Sequence, residues 1–355
     1  TKRHNHIIEN MLYMVELNEK NVAVSRKIFG KDANILCMSF LTEDNKDVNL
    51  EVIKKFKEKG VEKFDVIMGN PPFNMEKSDN NRTTPSLWDK FLLNSINMLN
   101  MNKYLTFIHP QNWRAPDHKL WKVMRSKQIM YLHILGEHET KQKLNVNSKV
   151  DMYVLKNTPS DIKSKTEIID EKGKQVNIIL KDLLFLPNFN ITDFNKITSH
   201  TINDDIILKS GIYASSKTKE SESKNYKHKV MSSIMKNNVL NFRYTNNKTL
   251  GHFGIYKVII NGGRYAYAYN DYQGEYGMTQ NMFAIKLNQN ESEEKRKDKG
   301  EQIVNALSSA YFIDLMKAAS WTSFPTTDDN LFKYFKKDFY KHPMFTNKDK
   351  TKSNV

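Results

Sequence analysis

The 355-residue chain has a single cysteine, Cys37, so no disulfide can form within it, and a reducing compartment is expected. No apolar run approaches the ~20 residues that a membrane-crossing helix needs. The opening residues, Thr1-Lys2-Arg3-His4-Asn5-His6, lead into no long apolar core of the signal-peptide kind. The expected setting is therefore cytoplasmic or nucleoid-associated, with no membrane partner. Acid is scarce as well: 40 Asp and Glu against 55 Lys and Arg leave a formal net charge of +15. Such an excess suggests an anionic partner, with double-stranded DNA the first candidate. A Lys- and Asn-rich, AT-biased proteome would produce a similar surface, so charge alone does not decide. Hydrophobic residues at 39% and aromatics at 11% fit a globular chain long enough for two domains. No internal repeat is visible. Glu137-His138-Glu139 is of metal-ligand type, but no second cluster at ligand spacing accompanies it, and no metal is expected.

The stretch Phe64-Asp65-Val66-Ile67-Met68-Gly69-Asn70-Pro71-Pro72-Phe73 organises the first half. Val66, Ile67 and Met68 form a short apolar run of the kind found in buried parallel strands. Two consecutive prolines supply no donor and fix φ, so the strand must stop there. Asn70 is thereby placed at the carboxyl edge of a strand, where open α/β sheets bind ligands. The Asn70 side-chain oxygen and the Pro71 carbonyl are two acceptors able to hold both hydrogens of an exocyclic amine. Phe73 follows as a ring able to stack on the flat base carrying that amine. The plainer reading is a structural turn with an exposed Phe, since a four-residue motif is weak evidence by itself.

Around it the order is α/β. Met11 to Val15 reads as a strand ending in Glu16, and Glu19 to Phe29 as a helix. A second strand runs from Asn34 to Leu41 and an amphipathic helix from Leu50 to Gly60. Beyond the central strand, a helix is predicted over Ser86 to Leu99 and a strand over Tyr104 to Ile108 leading into His109-Pro110-Gln111-Asn112-Trp113-Arg114. Lys119 to Ser126 then reads as a helix, with strands over Met130 to Leu135 and Lys149 to Lys156 and a hairpin over Thr166 to Leu180. His109 is discounted as a general base, because an amine held with its lone pair free needs no prior deprotonation.

The Asn-Pro-Pro-Phe turn and this order resemble the S-adenosylmethionine-dependent N6-adenine DNA methyltransferases of the γ arrangement, TaqI-like enzymes among them. The resemblance implies a Rossmann-like methyltransferase sheet at 1–186, a second α+β target-recognition domain at 187–345 and a basic tail at 346–355. It further implies Asn70, Pro71, Pro72 and Phe73 as catalytic residues, with Asn70 also near the cofactor. Glu16 matches the acid that holds the cofactor ribose. Ser39 and Phe40 match the adenine-binding turn, with Ser39 standing where the family usually has Asp. Tyr153 is the candidate for the second face of the flipped base, with core packing the alternative. Arg82, Arg114, Arg243, Arg264 and Tyr267 are the expected DNA contacts. Tyr265, Tyr267 and Tyr269 alternate with alanines and should share one strand face. A last helix is predicted over Gln302 to Ala318.

One family feature is missing. The Gly-rich strand-to-helix loop that cradles the cofactor's methionine part has no counterpart here. The chain also begins without Met, and its start is expected to be processed, trimmed or internal to a longer frame. An upstream segment or a second polypeptide is therefore the expected complement of the cofactor site. The competing reading is a split or degenerate fragment that binds DNA but is inactive without that complement.

Overall fold

A computed structural model describes residues 2–74, 85–207, 213–214, 217–263, 265–322 and 329–346. The first part begins with α1 (Lys2–Asn10), β1 (Tyr13–Glu16), α2 (Glu19–Phe29), β2 (Asn34–Cys37), α3 (Leu50–Glu58) and β3 (Phe64–Gly69). It continues through α4 (Trp88–Asn97), β4 (Leu99–Pro110), α5 (Lys119–Arg125), β5 (Lys127–Leu135), α6 (Glu137–Leu144), β6 (Val150–Pro159), β7 (Thr166–Ile169) and β8 (Gln175–Ile178). The helices start where short polar side chains cap them: Asn18 Oδ1 accepts the Lys20 amide and Asn49 Oδ1 that of Glu51.

β1 and β2 form a parallel pair. A six-stranded sheet runs β3-β4-β6-β5-β7-β8, parallel at β3-β4 and β5-β7 and antiparallel at its other joints. This is the expected α/β class. α3 and α4 lie on one side, where Phe56 meets Tyr13 and Phe64, and Phe91 stacks on Phe40. On that side Trp88, Leu92, Leu105, Phe107, Trp121 and Leu132 form the core. α1 and α2 cover the opposite side of β1-β2 through Ile8, Val22, Ala33 and Ile35.

The second part contains α7 (Ile191–Ile197), β9 (Ile206–Ile207), β10 (His228–Ile234), β11 (Leu240–Thr245), β12 (Lys257–Asn261), β13 (Ala268–Asp271), β14 (Gly277–Met278) and β15 (Met282–Lys286). It ends in α8 (Glu293–Leu307), α9 (Ala310–Ala318), α10 (Asp329–Phe332) and α11 (Pro343–Thr346). β13-β12-β15-β9 make one sheet and β11-β10-β14 another. Successive residues of β12 face opposite ways: Val258 and Ile260 join the helices' Phe312 and Phe332, while Ile259 packs on Met231 and Met278. The tyrosine–alanine alternation behaves as expected, with Ala266 and Ala268 in the helical core and Tyr267 and Tyr269 on the other.

Several boundaries differ from the sequence reading. The Gln302–Ala318 helix is two helices, because the Ser309 side chain caps a new one by accepting the Phe312 amide. The strand predicted over Arg264 to Tyr269 forms only from Ala268. α1 and α6, both rich in polar residues, were not anticipated.

Candidate active site

The carboxyl ends of β1 to β4 carry most of the residues singled out. At β1 the Glu16 carboxylate accepts the Asn18 amide on one oxygen, 2.8 Å away. Its other oxygen has no partner among the described residues. The Met38 amide donates to the Glu16 carbonyl at 3.1 Å, which ties the end of β1 to the turn after β2. In that turn the Ser39 hydroxyl donates to the Leu41 carbonyl at 2.7 Å, leaving its lone pairs to accept. Phe40 lies stacked on Phe91, centroids 5.2 Å apart, so one of its faces is already taken.

β3 delivers Asn70 to the surface. Neither its side chain nor the Pro71 carbonyl has a hydrogen-bond partner among the described residues, so both acceptors are available. The approach is close: a Cβ on Gly69 would stand 3.1 Å from the Phe107 ring, which explains a glycine just before the turn. Pro71 is buried and Phe73 half-buried against the first core. The Phe73 carbonyl accepts the Leu87 amide, and Asn74 bridges to Ser86. Asp89, held by Lys119 and by the Ser86 hydroxyl, anchors the returning segment.

Behind this corner lies a buried aromatic group. The His109 ring stacks on Trp88 at 4.2 Å, and its Nε2 accepts from the Tyr153 hydroxyl at 3.0 Å while Nδ1–H donates to the Pro110 carbonyl. Burial, aided by the nearby Arg114 and His118, pulls the His109 pKa down to about 3, so the ring is neutral. Burial likewise pushes the Tyr153 hydroxyl well above its ordinary value. The Gln111 amide nitrogen donates to the Leu135 and Val150 carbonyls. Its buried Oε1 and the buried Oδ1 of Asn112 accept nothing within the protein. Trp88, Phe91 and these two acceptors escaped the sequence reading, because only the fold brings them to the strand ends.

Two expectations are corrected here. Tyr153 is enclosed, packed on His109 and Trp113, and presents no face to an incoming base. Arg114 is not at a DNA surface but fully buried, where it binds Asp151, the Leu186 carbonyl and Asn188. Arg243 reaches Thr218 and Glu220 on the second part, and Tyr267 is half-buried. Arg82 and Arg264 lie outside the described residues. Two surface cavities sit away from this corner. One, of about 660 Å³, is lined by Thr218 to Ser223, Tyr226 and Arg243, and another, of about 430 Å³, by Asp205, Lys286 and Lys299.

The residues present fit S-adenosylmethionine in part. Glu16 has a carboxylate oxygen free for ribose hydroxyls and Ser39 has an acceptor for an amino group, but no glycine-rich cradle stands among the described residues.

No curated protein matches this chain. The chain is similar in fold to the DrdV–DNA complex (11% identity, TM-score 0.48, 95% of this chain and 50% of that one). It is likewise similar to the type IIL restriction-modification enzyme MmeI in complex with DNA (10%, 0.46, 92% and 54%). The EcoKI M protein of a type I restriction enzyme aligns with less (12%, 0.32, 46% and 36%). The chain thus spans between about a third and about half of the length of these solved structures. Residues 3–141, which hold the ends of β1 to β4, match the family described as Eco57I restriction-modification methylase.

Proposed function

We propose that the chain is the catalytic and DNA-reading part of a restriction-modification methyltransferase that methylates adenine N6 in double-stranded DNA. The observation that carries this reading is the Asn70 corner: an exposed amide oxygen and the Pro71 carbonyl, both unpartnered, at the carboxyl end of a parallel strand. S-adenosylmethionine would supply the electrophilic methyl group on its sulfonium. Glu16 would hold the ribose hydroxyls, and Ser39 with Phe40 would border the adenine. Asn70 and the Pro71 carbonyl would take both hydrogens of the target amine and leave its lone pair aimed at the methyl carbon. That is catalysis by positioning and fixed dipoles. Phe73 would stack on the target base. The adenine must leave the helix to reach this corner, because its amine is inaccessible within the stack. The second part, basic and tyrosine-bearing, would read the duplex.

The test is Asn70→Ala. Methyl transfer to adenine-containing duplex should fall by about 10²–10³ or more, as for removal of one preorganised polar group, while duplex affinity stays nearly unchanged. Persisting methylation refutes the assignment.

A second reading is favoured by the missing glycine loop and by the unpaired edges of β1 and β3. Residues 1–355 would bind DNA but hold cofactor only when an upstream segment or second polypeptide completes the site. Calorimetry with S-adenosylmethionine separates the two: binding by residues 1–355 alone removes this alternative.

A further inference from the structure

Among the described residues β1 pairs only with β2, and β3 only with β4. Each therefore keeps one unpaired edge. The two strands start close together, with the Tyr13 and Phe64 rings 5.9 Å apart and both on Phe56. It is β1, not β2, that presents its ring to β3, so the two free edges border one gap.

The sheet face beside that gap is open. Paired residues in a ladder share a face, and the register aligns Val66 with Tyr104, Met68 with Thr106 and Val154, and Ile108 with Met152. Val66 is 52%, Met68 72% and Tyr104 41% exposed, while Ile108, Met152 and Val154 are half-buried. The opposite face, with Leu105 and Phe107, is sealed by α4 and α5. α1 and α2 cover the open side over β1-β2 only. A strand with apolar side chains as exposed as those of β3 is ordinarily covered on both faces.

The crossover rule selects the occupant. Parallel neighbours are joined through a helix in a right-handed sense. β1 is entered from α1, whose Ile8 packs on β2 and α2, and the partner on the other edge of β1 is β2, reached through α2. The strand expected on the free edge of β1 is thus the one that feeds the start of α1. We propose that a segment joined to the start of α1 docks here, as an apolar parallel strand hydrogen-bonded between β1 and β3, preceded by a helix lying on Val66, Met68 and Tyr104. The proposal deepens the reading above and rests on it for one consequence, that the same strand's end would stand beside Glu16 and Asn70.

Oxidative footprinting tests it. Residues 1–355 and the polypeptide translated from the whole natural reading frame are treated with hydrogen peroxide, and sulfoxide formation is read by mass spectrometry. Met68 should oxidise readily in the first and about fivefold more slowly in the second, since oxidation follows exposure. Met235, 55% exposed in the second part, serves as control and should not change. Met68→Lys should leave the melting temperature of residues 1–355 unchanged and lower that of the longer polypeptide. Equal Met68 oxidation in both, or no lowering by the lysine, overturns the proposal. A reading frame that adds no helix–strand sequence ahead of α1 overturns it too. So does protection of Met68 in residues 1–355 that rises with protein concentration, which would make the occupant a second copy. Footprinting reads burial and not methyl transfer, so a failed methylation assay and a failed docking test remain distinguishable.

Discussion

Arg114→Ala probes the joint between the sheet and the segment leading into the second part. In the folded chain Arg114 Nε and Nη2 bind the two oxygens of Asp151 at 2.7 and 3.1 Å, with both side chains fully buried. Nη1 reaches the Leu186 carbonyl at 2.7 Å and Nη2 the Asn188 Oδ1 at 2.8 Å. Truncation leaves the Leu186 carbonyl with Trp321 Nε1, but Asn188 Oδ1 loses its donor. Asp151 keeps only the Trp113 indole N–H as a partner of its charge. Its pKa, already raised by burial against the pull of Arg114, must climb further. Breaking one side of a fully buried ion pair costs about 3–5 kcal/mol, and an orphaned amide oxygen adds about 1 kcal/mol. A loss of about 4–6 kcal/mol is therefore expected, read by tryptophan fluorescence in urea, since Trp88, Trp113 and Trp121 all lie in this core. The double variant Arg114→Met/Asp151→Leu should recover most of it, because no charge remains to be buried. A loss under about 1 kcal/mol for Arg114→Ala would refute the account. Any fall in DNA binding by Arg114→Ala is then an unfolding effect, to be checked against the double variant.

His109 should make the first part acid-sensitive. Its folded pKa near 3 lies below the ordinary histidine value, so the unfolded chain binds more protons between the two. Stability is complete above about pH 6.5 and falls by about 1.4 kcal/mol per pH unit towards pH 3. Asp151, with a raised pKa, titrates in the opposite sense, so the comparison that isolates His109 is wild type against His109→Gln in acid urea titrations. Gly274→Ala should destabilise the second part by about 1–3 kcal/mol. Its φ is +72°, and a Cβ would stand 2.9 Å from the Gly254 backbone, so a melting temperature equal to wild type would contradict the placement. Glu16→Gln should weaken S-adenosylmethionine binding by at least tenfold, about 1.4 kcal/mol, measured by calorimetry on a polypeptide that binds it; unchanged affinity removes Glu16 from the cofactor site.

Where local chemistry decides, the sequence is a good guide. Asn18 before Glu19, Asn49 before Leu50 and the proline pair after Gly69 each set a boundary through their own backbone needs, and those boundaries appear where expected. Glu16 and Asn70 at strand ends were legible for the same reason. Elsewhere local signals compete. Ser308 and Ser309 sit inside a continuous apolar period, yet the Ser309 cap splits the helix. β4 begins five residues before its apolar run, because it is drawn into pairing at Leu99 and passes through Asn102 at φ 63°.

The sequence by itself determined the alternation of helices and strands, the basic balance and the strand-stopping turn that exposes Asn70, all consequences of nearest-neighbour sterics, periodicity and counted charge. Only the tertiary structure decided which polar groups lose water. Arg114 and Asp151 are buried together because strand β6 brings them within reach from 37 residues apart, and Tyr153 is enclosed because His109 and Trp113 arrive on both its sides. The free edges of β1 and β3 are equally a property of the assembled sheet, since pairing is a relation between distant segments that no single stretch encodes.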